Sequence, residues 1–115
     1  MADLENGLWA GNEKAMPQEP IVADYVTAFV KGKQNGFALK GADSTTGPLK
    51  TLYDGPRPSH YQPMKKQGSI ILGIGGDNSD SAHGTFYEGV MTSGISSNAT
   101  DAAVQANIVS AGYGK

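Results

Sequence analysis

Residues 68–94 read GSIILGIGGDNSDSAHGTFYEGVMTSG, two short apolar runs on either side of a polar, glycine-rich loop. Residues 69–74 are rich in β-branched Ile and too few for an independent helix, so they suit a buried strand. Residues 85–91 (TFYEGVM) supply a second strand, with Gly89 as a bulge inside it. Gly75 and Gly76 end the first run and lead directly into Asp77. Glycines let a ligand approach the backbone, so a carboxylate just past them is well placed for chemistry. Asp77 is the first candidate.

The rest of the chain agrees with a β-rich fold. Sixteen glycines and six prolines among 115 residues fit one turn-rich β domain, not a helical bundle. The net charge is −2, and of nine Lys and Arg only Lys65 and Lys66 are adjacent. A nucleic-acid partner would require a basic footprint, and none is present. The longest aliphatic run, Ile70 to Leu72, is far below the ~18 residues of a membrane span. The absence of cysteine excludes disulfides, thiolate metal sites and a Cys nucleophile. His60 and His83 sit in no metal-binding spacing, so neither a metal nor another cofactor is expected. The first residues, MADLENGLWAG, lack the basic and apolar regions of a signal peptide, so an internal piece of a longer protein is expected.

Taken in order, Asp3 and Glu5 flank Leu4, and in a strand the two carboxylates share one face. They line a cleft or mark a solvated strand end before Asn6 and Gly7. Residues 13–20 (EKAMPQEP) form a loop. Residues 24–30 (DYVTAFV) form a strand with Tyr25, Thr27 and Phe29 on one face and Val26, Ala28 and Val30 on the other, both apolar enough to be covered. A turn follows at 31–35, then short strands at 37–40 and 49–53. Proline confines 54–63 to a loop, where Arg57, His60 and Tyr61 form a polar and aromatic group able to contact a sugar or a partner surface, or simply belong to an ordinary surface loop. Residues 98–111 form the one convincing helix, capped by Asn98, with Asp101 near the positive end of its dipole. Val104, Ile108 and Ala111 make an apolar stripe expected to pack on the sheet, and Gly112 stops the helix.

Several site types fail on spacing. The run 73–78 has Asn78 where a dinucleotide-binding loop needs glycine, and no Gly-Lys-Ser/Thr of a phosphate loop is present. The run from Asp77 has Ala82 where a calcium loop needs glycine. Carboxylates on separate elements remain. Such a pair suits glycoside hydrolysis, one group attacking or activating water and the other protonating the leaving oxygen. Glu88 competes with Asp77, although in an alternating strand it is equally a solvated side chain.

The blocks ADLENGLWAG, RPSHYQPMKKQGSIILGIGGDNSDSAHGTFYEGVMTSG and TDAAVQANIVSAGYG, in this order, resemble the catalytic domain of the α-L-arabinofuranosidases of glycoside hydrolase family 54. The resemblance covers nearly the whole chain. It implies a mainly β fold, an antiparallel β-sandwich of concanavalin or jelly-roll type, here a partial sandwich with one C-terminal helix. Residues 1–115 would be the C-terminal portion of a secreted catalytic domain whose N-terminal part is missing, with an arabinose-containing polysaccharide or oligosaccharide as partner. The resemblance also implies Glu5 as nucleophile, Asp77 as general acid/base, and Asp3, Asn6 and Gly76 as arabinose contacts. The missing part would carry a disulfide that shapes the sugar pocket. Alternatives are a carbohydrate-binding β-sandwich module without turnover and an inactive truncation.

Overall fold

A computed structural model of the chain describes residues 2–3, 7–11, 20–59 and 84–115. Its elements in order are β1 (Ala2–Asp3), β2 (Gly7–Leu8), β3 (Val26–Lys33), β4 (Gly36–Asp43), β5 (Lys50–Gly55) and α1 (Asn98–Ala111). β1 and β2 pair antiparallel, and β3, β4 and β5 form an antiparallel sheet in that spatial order. The described residues are therefore mainly β with one C-terminal helix, as the sequence leads one to expect.

The β3–β4 hairpin closes through Gln34 and Asn35 alone, with Lys33 opposite Gly36. Lys31, Gly32 and Lys33 thus belong to the strand and not to the expected five-residue turn. Arg57 fixes this end: its guanidinium donates to the carbonyls of Lys33 at 2.6 Å and Gln34 at 3.1 Å. Arg57 is accounted for as a structural clasp, and its expected loop partners His60 and Tyr61 lie outside the described residues. Strands β4 and β5 also run longer than expected, and a register shift after Leu39 leaves Leu52 as the extra residue of a bulge.

The central strand holds the core. Ala38, Leu39 and Ala42 are buried, and Leu39 is fully enclosed. β3 is different: burial alternates along it, so one face is covered while Val26, Ala28 and Val30 stay exposed. Both faces were expected to be covered. β3 has one neighbour among the described strands, and its outward face has no layer of described residues over it.

Helix α1 has the expected bounds but a different cap and a different contact face. Ser97 is the N-cap, its Oγ accepting from the Thr100 N–H at 3.1 Å. Asn98, expected to cap, instead accepts from Lys40 Nζ at 2.8 Å. Gly112 ends the helix in the left-handed region at φ 78°, its N–H bonded to the Val109 carbonyl. The buried positions are Asp101 and Gln105, one turn apart. Val104 and Ile108 are half-buried and Ala111 is exposed, so the apolar stripe is not the docking face.

Polar groups carry that contact. Asp101 Oδ2 accepts from Lys31 Nζ at 2.5 Å and Lys40 Nζ at 2.6 Å, and its Oδ1 from Ser96 Oγ at 2.5 Å. Lys31 Nζ also donates to the Ser96 carbonyl at 2.8 Å, and Gln105 Nε2 to the Asp43 carbonyl at 2.8 Å. The Asp101 side chain is 1% exposed and the lysines 9% and 7%. Burial pushes the carboxyl up. The hydrogen bonds from Lys31, Lys40 and Ser96, with the Lys40 charge, outweigh it and bring its pKa to about 2. Breaking a buried pair from one side strands the remaining charges, which costs more than the intact pair contributes.

Asp101→Asn is therefore expected to lower the unfolding free energy by about 3 kcal/mol at neutral pH, read from denaturant melts. Because the folded pKa lies below the ordinary 3.8, the ionised carboxylate stabilises the fold fully above that value. This contribution is lost as pH falls through about 2. The gap between the two proteins should narrow across that window, and a gap independent of pH would contradict the ionised state.

Candidate active site

Of the residues singled out for chemistry, Glu5, Asn6, Gly76 and Asp77 lie outside the described residues. So do Leu4, the 69–74 run and both histidines. Asp3 is in β1, paired with Gly7 of β2. The described structure therefore frames the Glu5 segment from both sides, as the connection between two paired strands.

Leu8 of β2 meets the main sheet at Gly41. Leu8 follows Gly7 and is half-buried, and its Cδ1 converges with those of Ile21 and Leu52 on the bare backbone of Gly41. A Cβ at Gly41 would lie 2.3 Å from Ile21 Cδ1, 3.0 Å from Leu8 Cδ1 and 3.3 Å from Leu52 Cδ1. Glycine in the middle of β4 thus makes the seat for the hairpin, and the β5 bulge turns Leu52 toward it. Ala10 is buried, and Gly11 packs on Pro58, whose Cγ would stand 2.5 Å from an added Cβ. The segment that follows β2 consequently touches the chain just before residues 60–83, the stretch that contains Asp77.

An open cavity of about 520 Å³ is lined by Val22, Asp24, Tyr25, Asp43, Thr45 and Gly114, with Ala23. It contains none of the carboxylates singled out from the sequence. Of the two carboxylates on its lining, Asp43 is engaged locally: Oδ1 accepts from Thr45 Oγ1 at 2.6 Å and from the Thr45 N–H at 2.7 Å. These bonds hold the Asp43 carboxyl below the usual range. Such an Asx-type turn orders a loop.

Residues 85–91, expected as a strand with a bulge at Gly89, form no strand. Two side chains, Tyr87 and Glu88, hold them instead. The Tyr87 ring packs on Tyr25 at 5.5 Å and on Tyr113 at 5.3 Å. Glu88, the rival catalytic carboxylate, accepts the Tyr113 hydroxyl, which pushes the Tyr113 phenol up. Glu88 thereby joins the 84–95 segment to the end of α1.

The profile of the family described as "Alpha-L-arabinofuranosidase B, catalytic" matches residues 1–114. The chain is 57% identical to a "Probable alpha-L-arabinofuranosidase B" of Aspergillus fumigatus, an alignment covering 98% of this chain and 23% of that protein. It is 55% identical to an "Alpha-L-arabinofuranosidase" of Hypocrea jecorina, with the same coverages. A solved structure, a glutamate-to-glutamine mutant of a GH54 α-L-arabinofuranosidase soaked with 4-nitrophenyl α-L-arabinofuranoside, superposes with a TM-score of 0.71 at 54% identity. That superposition covers 82% of this chain and 20% of the other. The chain thus spans less than a quarter of the length of these relatives.

Gly41→Ala is expected to unseat the β1–β2 hairpin by pressing on Leu8 and Ile21, at a cost of about 1–3 kcal/mol in a thermal or denaturant melt. An unchanged melt would show that the hairpin is not held there.

Proposed function

The chain belongs to the family of α-L-arabinofuranosidase B catalytic domains, and from that premise we propose that it carries both reacting carboxylates of a retaining α-L-arabinofuranosidase. The observation behind this reading is the family match across residues 1–114, which includes the DLEN and GIGGDN motifs. The substrate is a terminal, non-reducing α-L-arabinofuranosyl group of arabinan or arabinoxylan. As the chain spans 23% of its Aspergillus fumigatus relative, the reaction belongs to a larger catalytic domain, of which this is the C-terminal portion. Its place of action is extracellular, where such polymers occur.

In the first step the Glu5 carboxylate attacks the anomeric carbon. The glycosidic carbon–oxygen bond breaks, and the departing oxygen takes the proton held by Asp77. In the second step Asp77 removes a proton from water, whose oxygen attacks the same carbon and releases Glu5 with arabinose. Two inversions give net retention. The double displacement requires carboxyl groups roughly 5–5.5 Å apart, since water need not fit between them in the first step. Asp77 must keep its proton at working pH, and a glycine-lined site beside a second carboxylate favours the neutral acid. Asp3, Asn6 and Gly76 would hold the sugar hydroxyls beside these two groups.

The test places this chain in the corresponding segment of the Aspergillus fumigatus protein and follows nitrophenol release from 4-nitrophenyl α-L-arabinofuranoside. Glu5→Gln and Asp77→Asn are each expected to lower kcat by a factor on the order of 10³ or more while leaving the melt in place. The first sugar product of the unmodified protein should keep its α configuration by NMR. Full turnover in either variant, or an inverted product, would overturn the assignment.

A further inference from the structure

Of Asn6, Asn12, Asn35, Asn78, Asn98 and Asn107, only Asn98 has a hydroxyl residue two positions on. It stands in the triplet Asn98-Ala99-Thr100, with no proline inside it or directly after it. Asn-x-Ser/Thr is the acceptor pattern for an N-linked glycan in an exported protein. The structure puts this triplet where a bulky, water-loving group can be carried. It forms the first turn of α1, and Ser97, Asn98, Ala99 and Thr100 are all exposed.

The Asn98 carboxamide has an inner and an outer end. Its Oδ1 accepts from Lys40 Nζ at 2.8 Å, and the Lys40 side chain is only 7% exposed. In a planar carboxamide the oxygen and the nitrogen diverge from the same carbon, so Oδ1 held on Lys40 turns Nδ2 away from the buried cation. A glycan bonds to Nδ2 and leaves Oδ1 free to accept, so the Lys40 contact survives the modification. The Thr100 hydroxyl lies against Ser97 Oγ at 2.9 Å, and neither group of the helix cap needs Asn98 Nδ2.

We propose that Asn98 is an N-glycosylation site. The donor is a lipid-linked oligosaccharide pyrophosphate, used by the oligosaccharyltransferase of the endoplasmic reticulum. Nδ2 bonds to the first sugar's C1, the bond from C1 to the pyrophosphate oxygen breaks, the pyrophosphate leaves with that electron pair, and Nδ2 gives up one proton. The start of α1 is then outer surface in the complete enzyme. This inference rests on the extracellular reading given under the proposed function, not on the roles of Glu5 and Asp77. The Aspergillus and Hypocrea relatives are fungal, and exported fungal chains meet this transferase.

The experiment translates the 115-residue chain behind a cleavable secretion signal in the presence of endoplasmic-reticulum microsomes. Chains protected from added protease have entered the microsomes. These should migrate heavier by one core glycan, a shift that endoglycosidase H removes. Thr100→Ala and Asn98→Gln should enter equally and lose the shift, while Thr100→Ser should keep it. Protected chains without the shift, or a shift that survives in Asn98→Gln, would overturn the proposal. A second readout uses the hybrid in which this chain replaces its counterpart in the Aspergillus fumigatus protein, secreted from a yeast host. Enzymatic removal of the glycan in heavy-oxygen water should leave a labelled aspartate at position 98, seen by peptide mass spectrometry. Retention of the glycosylated hybrid in the cell while its Asn98→Gln variant is secreted would also overturn the site. Because the signal is supplied in both readouts, they do not depend on where the natural protein is sent. Its presence in culture medium is a separate measurement, so a failed site and a failed location are told apart.

Discussion

One buried carboxylate holds the two parts of the described structure together. Asp101 is enclosed at the start of α1 and accepts from lysines on adjacent strands, Lys31 of β3 and Lys40 of β4. The two lysines would repel each other without it, and each is too buried to be well solvated by water. The contact fixes the helix along the sheet by position as well as by energy, since a charge pair has one register whereas an apolar stripe tolerates sliding. With α1 held there, Gln105 reaches the Asp43 carbonyl, and the end of the helix brings Tyr113 to Tyr25 and Tyr87.

The opposite side of the sheet has another task. Gly41 leaves a hollow in β4, and Leu8, Ile21 and Leu52 meet in it. This small apolar contact connects the hairpin that contains the Glu5 segment to the strand that also bears Lys40. Helix docking and hairpin docking thus use neighbouring residues of one strand, through charge on one side and methyl groups on the other. The exposed face of β3 and the uncovered 84–95 segment fit a chain that spans less than a quarter of its relatives.

The sequence made some of this legible and concealed the rest for identifiable reasons. The helix bounds were readable because Gly112 and the capping residues act locally. The hairpin was readable from the alternation of Tyr25, Thr27 and Phe29, but its end was misread: Lys31, Gly32 and Lys33 have the composition of a turn. They stay in the strand because Lys31 pairs with a residue 70 positions away, which no local window contains. The docking face of α1 was misjudged for the same reason, since amphipathic periodicity assumes an apolar contact. Residues 85–91 had strand propensity but form no strand among the described residues. Asp77 could be singled out from its glycines and Glu5 from its spacing to Asp3, yet the family likeness did most to separate both from eleven acidic residues.

The functional account depends on Glu5 being the atom donor that bonds the sugar. A slowly released arabinofuranosyl substrate, added to the hybrid enzyme and followed by acid quench and peptide mass spectrometry, examines that bond directly. One pentosyl group should be found on the peptide bearing Glu5, attached to its carboxylate. An adduct on Asp3, Asp77 or Glu88 instead, or turnover with no adduct on any carboxylate, would contradict the account.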